Sequence, residues 1–233
     1  LVGSEMCIRD RNYCFINALI QVFMCIPRIR ERWSSAPNPW SAVALKYNQG
    51  GEPVLDNPGL LHRMETWFDA PHEQQCAHEC LTQLLDDTVG ITGEFFRTIC
   101  HELFQSHAAA AINRRRATHR CLAMPLPAKS VAEGFELFTS VTHPDPNQPD
   151  ARHTTTIYRG APCIFLSVQR CSWSGQHHRL TRSTREFTYP WSLDGVVGFN
   201  AAYVLQAVVI HVGSPLKGHY TAYVRRQNAW DYC

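Results

Sequence analysis

The chain has 233 residues, 45% hydrophobic, 18% charged and 11% aromatic, with a formal net charge of +2. That length and apolar content suffice for one large domain or two lobes around a buried core. So small an excess of charge gives no ground for a nucleic-acid or membrane surface, and no apolar run approaches the roughly 20 residues of a spanning helix.

Nor does a charged stretch lead into an apolar run and a small-residue cleavage site, as a secretory signal requires. Ten cysteines at irregular spacing in a chain this long argue for reduced thiols and a cytoplasmic or nuclear compartment.

Leu1 to Arg11 has neither a helical nor a strand period. Met6-Cys7-Ile8-Arg9-Asp10 is what a transposon-end sequencing adapter encodes when translated, so residues 1–11 are set aside as an adapter scar. A native irregular terminus is the other reading. Residues 12–233 are taken as the folded part.

From Ile16, apolar residues recur at Ile16, Leu19, Ile20 and Phe23, the spacing of one buried helix face. Cys14 opens that helix, where backbone N–H groups and the positive end of the macrodipole favour a thiolate. Spacing alone leaves two readings, a nucleophile or a buried structural cysteine.

Residues 27–58 are rich in Pro, Asn, Ser and Gly, with Trp33 and Trp40 as packing anchors. Helical pattern returns at Leu60–Phe68. It is clearer where Ala77, Cys80, Leu81, Leu84 and Leu85 form a stripe ending at Asp86-Asp87. Cys76 and Cys80 lie one turn apart with no second pair beside them, which favours core and cleft-lining roles over zinc. A short helix is predicted over Glu94–Leu103.

From Ser106 the pattern becomes strand and turn. Arg114-Arg115-Arg116 reads as a solvated hairpin tip, His143–Arg152 with three prolines as a surface loop, and His177-His178 as an exposed turn. Tyr203–Gly213 and Ser214–Val224 are β-rich runs around a Gly/Pro/Lys turn, which predicts a hairpin. His219 opens the second strand beside Gly218, whose missing Cβ permits close approach. A Cys at a helix start and a distant His make the nucleophile–base pair of a cysteine hydrolase one possible reading.

These residues carry a resemblance. Asn12-Tyr13-Cys14-Phe15-Ile16-Asn17-Ala18-Leu19-Ile20-Gln21 resembles the cysteine box of the ubiquitin-specific proteases, N-T-C-Y-M-N-S-x-x-Q. Gly218-His219-Tyr220-Thr221-Ala222-Tyr223-Val224 is identical to the family's histidine box, G-H-Y-T-A-Y-V. Between them, Gln74-Gln75-Cys76-Ala77-His78-Glu79-Cys80-Leu81 is similar to Q-Q-D-A-H-E-F-L. Pro162–Cys171 and Glu186–Asp194 resemble strands of the family's β-rich palm.

The resemblance implies a papain-like α+β fold with a helical thumb lobe over residues 12–105 and a β-rich palm/fingers lobe over 106–233, the cleft lying between them. It implies hydrolysis of the (iso)peptide bond after the C-terminal Gly of ubiquitin, with Cys14 as nucleophile and His219 as base. Asn12, Gln75, Cys76, Gly218 and Tyr220 are implied as substrate-binding residues, with Cys76 standing where the family carries an acid that meets ubiquitin's basic tail. The partner implied is ubiquitin or ubiquitinated protein, with no nucleic acid, no membrane and a monomeric chain. Family members often hold zinc with two Cys-x-x-Cys pairs. This chain has only isolated Cys100, Cys121, Cys163 and Cys171 there, which implies no metal, no cofactor and short fingers.

Two departures stand out. The family's oxyanion-stabilising Asn falls at Arg9, and its His-orienting residue falls just past Cys233, so the chain reads as truncated at both ends and impaired as written. A catalytically dead ubiquitin-binding scaffold is the alternative. A different papain-like protease or a transglutaminase would share the Cys–His pair but not the 74–81 segment.

Overall fold

Ten of the twelve residues of the first helix, α1 (Cys14–Cys25), are buried. A helix apolar nearly all round belongs inside a core, and the aromatic residues explain how it is surrounded. In the computed structural model, residues 13–35, 37–48, 58–70, 73–106, 111–125, 128–140, 142, 151–175, 179–196, 198–199, 201–214, 217–227 and 229–233 are described. Contacts divide the chain into two compact units, Leu1–Thr92 with Gln206–Cys233, and Gly93–Leu205.

In the first unit, α2 (Pro27–Ser35), α3 (Pro39–Asn48) and α4 (Pro58–Trp67) each start on proline. The ring's fixed φ suits the first helical position, where the missing N–H has no helical role. The prolines of 27–58 therefore open helices as well as loops. Rings run from Phe15 to Phe68 (6.0 Å), Trp67 (6.4 Å), Trp40 (6.0 Å), Trp33 (4.9 Å) and back to Phe23 on α1 (5.3 Å). Each such pair adds about 0.5–1.5 kcal/mol beyond area burial. Trp33 and Trp40 are the anchors expected, at 0% and 1% exposure. Trp40 Nε1 donates to Asp87 at 2.9 Å, and Arg63 pairs with the same carboxylate. That carboxylate lies at the end of α5 (Ala77–Asp87), whose predicted stripe is buried in full, and α6 (Val89–Thr92) adds one turn.

The second unit opens on a 3₁₀ turn, Gly93–Phe95, and β1 (Thr98–Ser106). This overturns the helix predicted over Glu94–Leu103. Phe96, Ile99, Cys100 and Leu103 match a helical period, but pairing on both sides with β2 (Ala111–His119) and β4 (Arg152–Arg159) wins. Arg114 to Arg116 lie in the middle of edge strand β2, not at a hairpin tip. Charged side chains there discourage edge-to-edge pairing. Strand alternation sends Arg115 to Glu102 and its neighbours to the other face.

Between them come β3 (Cys121–Met124) and α7 (Val131–Thr139). Then follow β5 (Phe165–Val168), β6 (Cys171–Ser174), β7 (Arg179–Arg182), β8 (Ser192–Leu193) and β9 (Tyr203–Val204). Strand β5 pairs parallel with β3, while β6–β7 and β8–β9 are antiparallel ribbons. Helix α7 closes the core of Cys100, Leu122, Met124, Val131, Phe135 and Ile157. Its start carries the Ser-x-x-Glu capping-box pattern, Ser130 Oγ accepting from Glu133 N at 3.1 Å, while Glu133 Oε2 accepts from Lys129 N, one residue before the cap, at 2.7 Å. The loop expected at His143–Arg152 lies almost wholly outside the described residues, as does His177-His178.

The chain then rejoins the first unit as an antiparallel sheet of β10 (Ala207–Gly213), β11 (Gly218–Arg226) and β12 (Ala229–Tyr232). The predicted hairpin is present, with Gly213 opposite Gly218. Ala222 and Val224 are fully buried, and β11 packs on α1, where Arg226 donates to Gln21 Oε1 at 2.9 Å. Residues 206–233 therefore group with the helices, and the units divide at Thr92/Gly93 and Leu205/Gln206. Apolar burial between β11 and α1 is the cause. No helix among the described residues is long and apolar enough to cross a membrane.

Candidate active site

Residues of one strand pointing to the same edge alternate, so the N–H groups of Tyr220 and Ala222 leave β11 on the same side. That of Ala222 is taken by Cys233 O at 2.9 Å. That of Tyr220 is taken by Cys14 Sγ at 3.4 Å. The thiol at the start of α1 thus lies at the edge of β11, one residue from His219. Helix and strand come together here because Ala222 and Val224, further along β11, are buried against the α1 side.

Cys14 is 6% exposed. Its helix has no acidic residue in the first turn and no side-chain cap from Tyr13, so no carboxylate competes for the N-terminal N–H groups. Cys25, at the other end of the same helix, differs. Burial pushes its thiol up to about 11, against the opposing pull of Arg226.

The 74–77 segment reaches the same hairpin. Ala77 N, in the first turn of α5, donates to Tyr220 Oη at 3.4 Å. Gly218 N donates to Gln74 Oε1 at 2.8 Å, and Gln74 Nε2 meets His211 Nε2 at 3.1 Å. His211 is the cross-strand partner of Tyr220, their rings 4.5 Å apart. A Cβ on Gly218 would run into Val212 O and the His211 ring, which is why glycine stands there.

Of the residues singled out in the sequence, Cys14 meets the backbone of Tyr220, with Gly218 and His219 preceding it along β11. Gln75 turns back instead, donating to Ala70 O at 2.6 Å. Cys76 is exposed at the N-cap of α5 and makes no side-chain cap bond. Asn12 and Arg9 lie outside the described residues. Gln74 and His211 were not singled out. The hairpin register, fixed by Gly213 opposite Gly218, puts His211 beside Tyr220 and was a usable signal. Among the described residues no group of three or more His, Cys, Asp or Glu side chains is arranged to hold a metal ion.

The chain is similar in fold to the solved structure of the SAGA DUB module, Ubp8 with Sgf11, Sus1 and Sgf73, bound to monoubiquitin. The TM-score is 0.76 at 15% identity, covering 95% of this chain and 61% of that one. This likeness gives the papain-like α+β architecture. No curated protein matches the chain. Residues 8–233 match the sequence profile described as ubiquitin carboxyl-terminal hydrolase. The chain belongs to the ubiquitin carboxyl-terminal hydrolase family.

Proposed function

We propose that residues 12–233 are the catalytic domain of a thiol-dependent deubiquitinase, cleaving the (iso)peptide bond after the C-terminal Gly of ubiquitin in a reducing, cytoplasmic or nuclear compartment. The observation that carries this reading is the approach of Tyr220 N to Cys14 Sγ at 3.4 Å, which sets a helix-start thiol one residue from His219. The family profile and the fold shared with a ubiquitin-bound Ubp8 support it.

In this reading Cys14 Sγ attacks the carbonyl carbon of the terminal Gly and His219 takes the thiol proton. The tetrahedral oxyanion sits against the backbone N–H of Cys14, a donor whose loss costs about 3 kcal/mol in comparable sites. His219 then protonates the departing lysine amine, leaving a thioester on Cys14. Water, deprotonated by His219, attacks the thioester and releases ubiquitin. Gly218 and Tyr220 line the approach of the narrow Gly-Gly tail.

The test uses ubiquitin bearing a thiol-reactive electrophile at its C-terminus. One adduct per chain is expected, mapped to Cys14 by mass spectrometry and absent in Cys14→Ala, which still binds ubiquitin. Binding without any adduct would favour the dead scaffold. Neither binding nor adduct would remove the deubiquitinase reading altogether.

A further inference from the structure

The Gln74 amide has an orientation that its surroundings dictate. Gly218 N–H is a donor and lies 2.8 Å from one end of the amide, so that end must be the oxygen. The NH₂ end then faces His211 Nε2 at 3.1 Å. Two donors cannot share that contact, so His211 Nε2 must present a lone pair, and a neutral ring must carry its proton on Nδ1. The imidazole has little room to turn away. It packs on the Tyr220 ring at 4.5 Å and lies where a Cβ on residue 218 would go.

We propose that His211 is a positioning residue, which as a neutral acceptor locks the Gln74 amide, and through it the Gly218 N–H, so that the start of β11 holds His219 in place. This rests on the reading of Cys14 and His219 as the reacting pair. Protonation of His211 would set an N–H against the Gln74 NH₂. Turning the amide over does not help, because Gly218 N–H would then face the NH₂ group. The lock therefore opens as pH falls through the ionisation of His211.

The ionisable groups on elements packed around His211 are few. Helix α1 offers Cys14 and Cys25, and β11 offers His219 and Tyr220. The 73–79 segment offers Glu73, Cys76, His78 and Glu79, all exposed, and the hairpin turn offers exposed Lys217. His219 lies on the neighbouring strand, so the test must separate the two histidines.

Nuclear magnetic resonance on the full chain reads the protonation of His211 Nε2 directly, and amide exchange reads the protection of Gly218. At neutral pH Nε2 should be unprotonated, and Gly218 protection should fall in step with the titration of His211 itself. In His211→Gln the side-chain oxygen accepts the same hydrogen bond and has no proton to gain, so protection should persist into acid. In His211→Ala it should be lost at every pH. Labelling of Cys14 by the ubiquitin electrophile should slow about ten- to a hundredfold in His211→Ala, as for other small misplacements of a reacting group. It should recover in His211→Gln. A protonated Nε2 at neutral pH, or Gly218 protection indifferent to His211, would overturn the proposal without any variant being needed. If the unaltered chain shows the expected tautomer but never labels with ubiquitin, the hydrolase reading falls and the lock stands.

Discussion

The backbone N–H of Tyr220 donates to Cys14 Sγ at 3.4 Å, across 206 residues of sequence. A thiol so placed should behave unlike the other buried thiols. Burial pushes Cys25 and Cys100 up to about 11 and Cys121 up to about 12. A thiol at 11 is thiolate in about one molecule in ten thousand at pH 7. Iodoacetamide at pH 7 should therefore modify Cys14 with exposed Cys76 and Cys171, and leave Cys25, Cys100 and Cys121 untouched until the chain unfolds. Peptide mass spectrometry over time checks the order. Cys14 reacting no faster than Cys25 would remove it as nucleophile.

Gly218→Ala should destabilise the first unit. The added Cβ meets Val212 O and the His211 ring, neither of which has room to move aside. Overpacking of this kind costs about 1–3 kcal/mol. In a chain of this size that lowers Tm by about 2–4 °C per kcal/mol. An unchanged melting curve would mean that the hairpin is looser than its close backbone approach implies.

In the second unit, the Glu102 side chain is 6% exposed. Arg115 Nε lies 2.5 Å from one oxygen, and His119 and His153 lie at 3.5 and 4.0 Å. Burial raises its carboxyl, but the Arg115 hydrogen bond and charge, then the two histidines, outweigh that and hold it below the ordinary 4.5. A carboxylate held down in the fold contributes stability that is complete above the ordinary value and is lost as pH falls through the lowered one. Glu102→Gln should cost about 1–3 kcal/mol at neutral pH, and the variant should lose less stability below pH 4.5 than the parent does. Parallel acid limbs in the two proteins would show that Glu102 carries no linkage.

Purified protein should hold no stoichiometric zinc, because Cys100, Cys121, Cys163 and Cys171 stand singly in the sequence and no Cys-x-x-Cys pair accompanies them. A chelator should leave the melting transition where it was. One zinc per chain, lost together with the fold, would refute this.

Much of the first unit was legible because burial there follows local period. The stripe from Ala77 to Leu85, the apolar spacing of α1 and the 203–224 hairpin are each set by neighbours in sequence. The second unit was harder because its strands are held by distant partners. Phe96, Ile99, Cys100 and Leu103 fit a helix as well as they fit β1, and only pairing with β2 and β4 decides between the two. Helix α7 did have a local mark, the Ser130–Glu133 capping box. In the site, adjacent glutamines differ by the loop backbone alone. Gln74 reaches His211 and Gly218 while Gln75 folds back to Ala70, and no pattern of residue types separates them.

The first unit is assembled from the two ends of the chain, with residues 93–205 made in between. Its helices leave the ribosome carrying Cys14 long before His219 exists. At the usual ~5–20 residues per second the gap is about 10–40 s of synthesis. During that interval the nascent chain holds Cys14 without the Tyr220 N–H beside it and an α1 face with no β11 to cover it. The Cys14–Tyr220 contact is therefore withheld by the order of synthesis itself, and forms only when β11 packs down on the first helix.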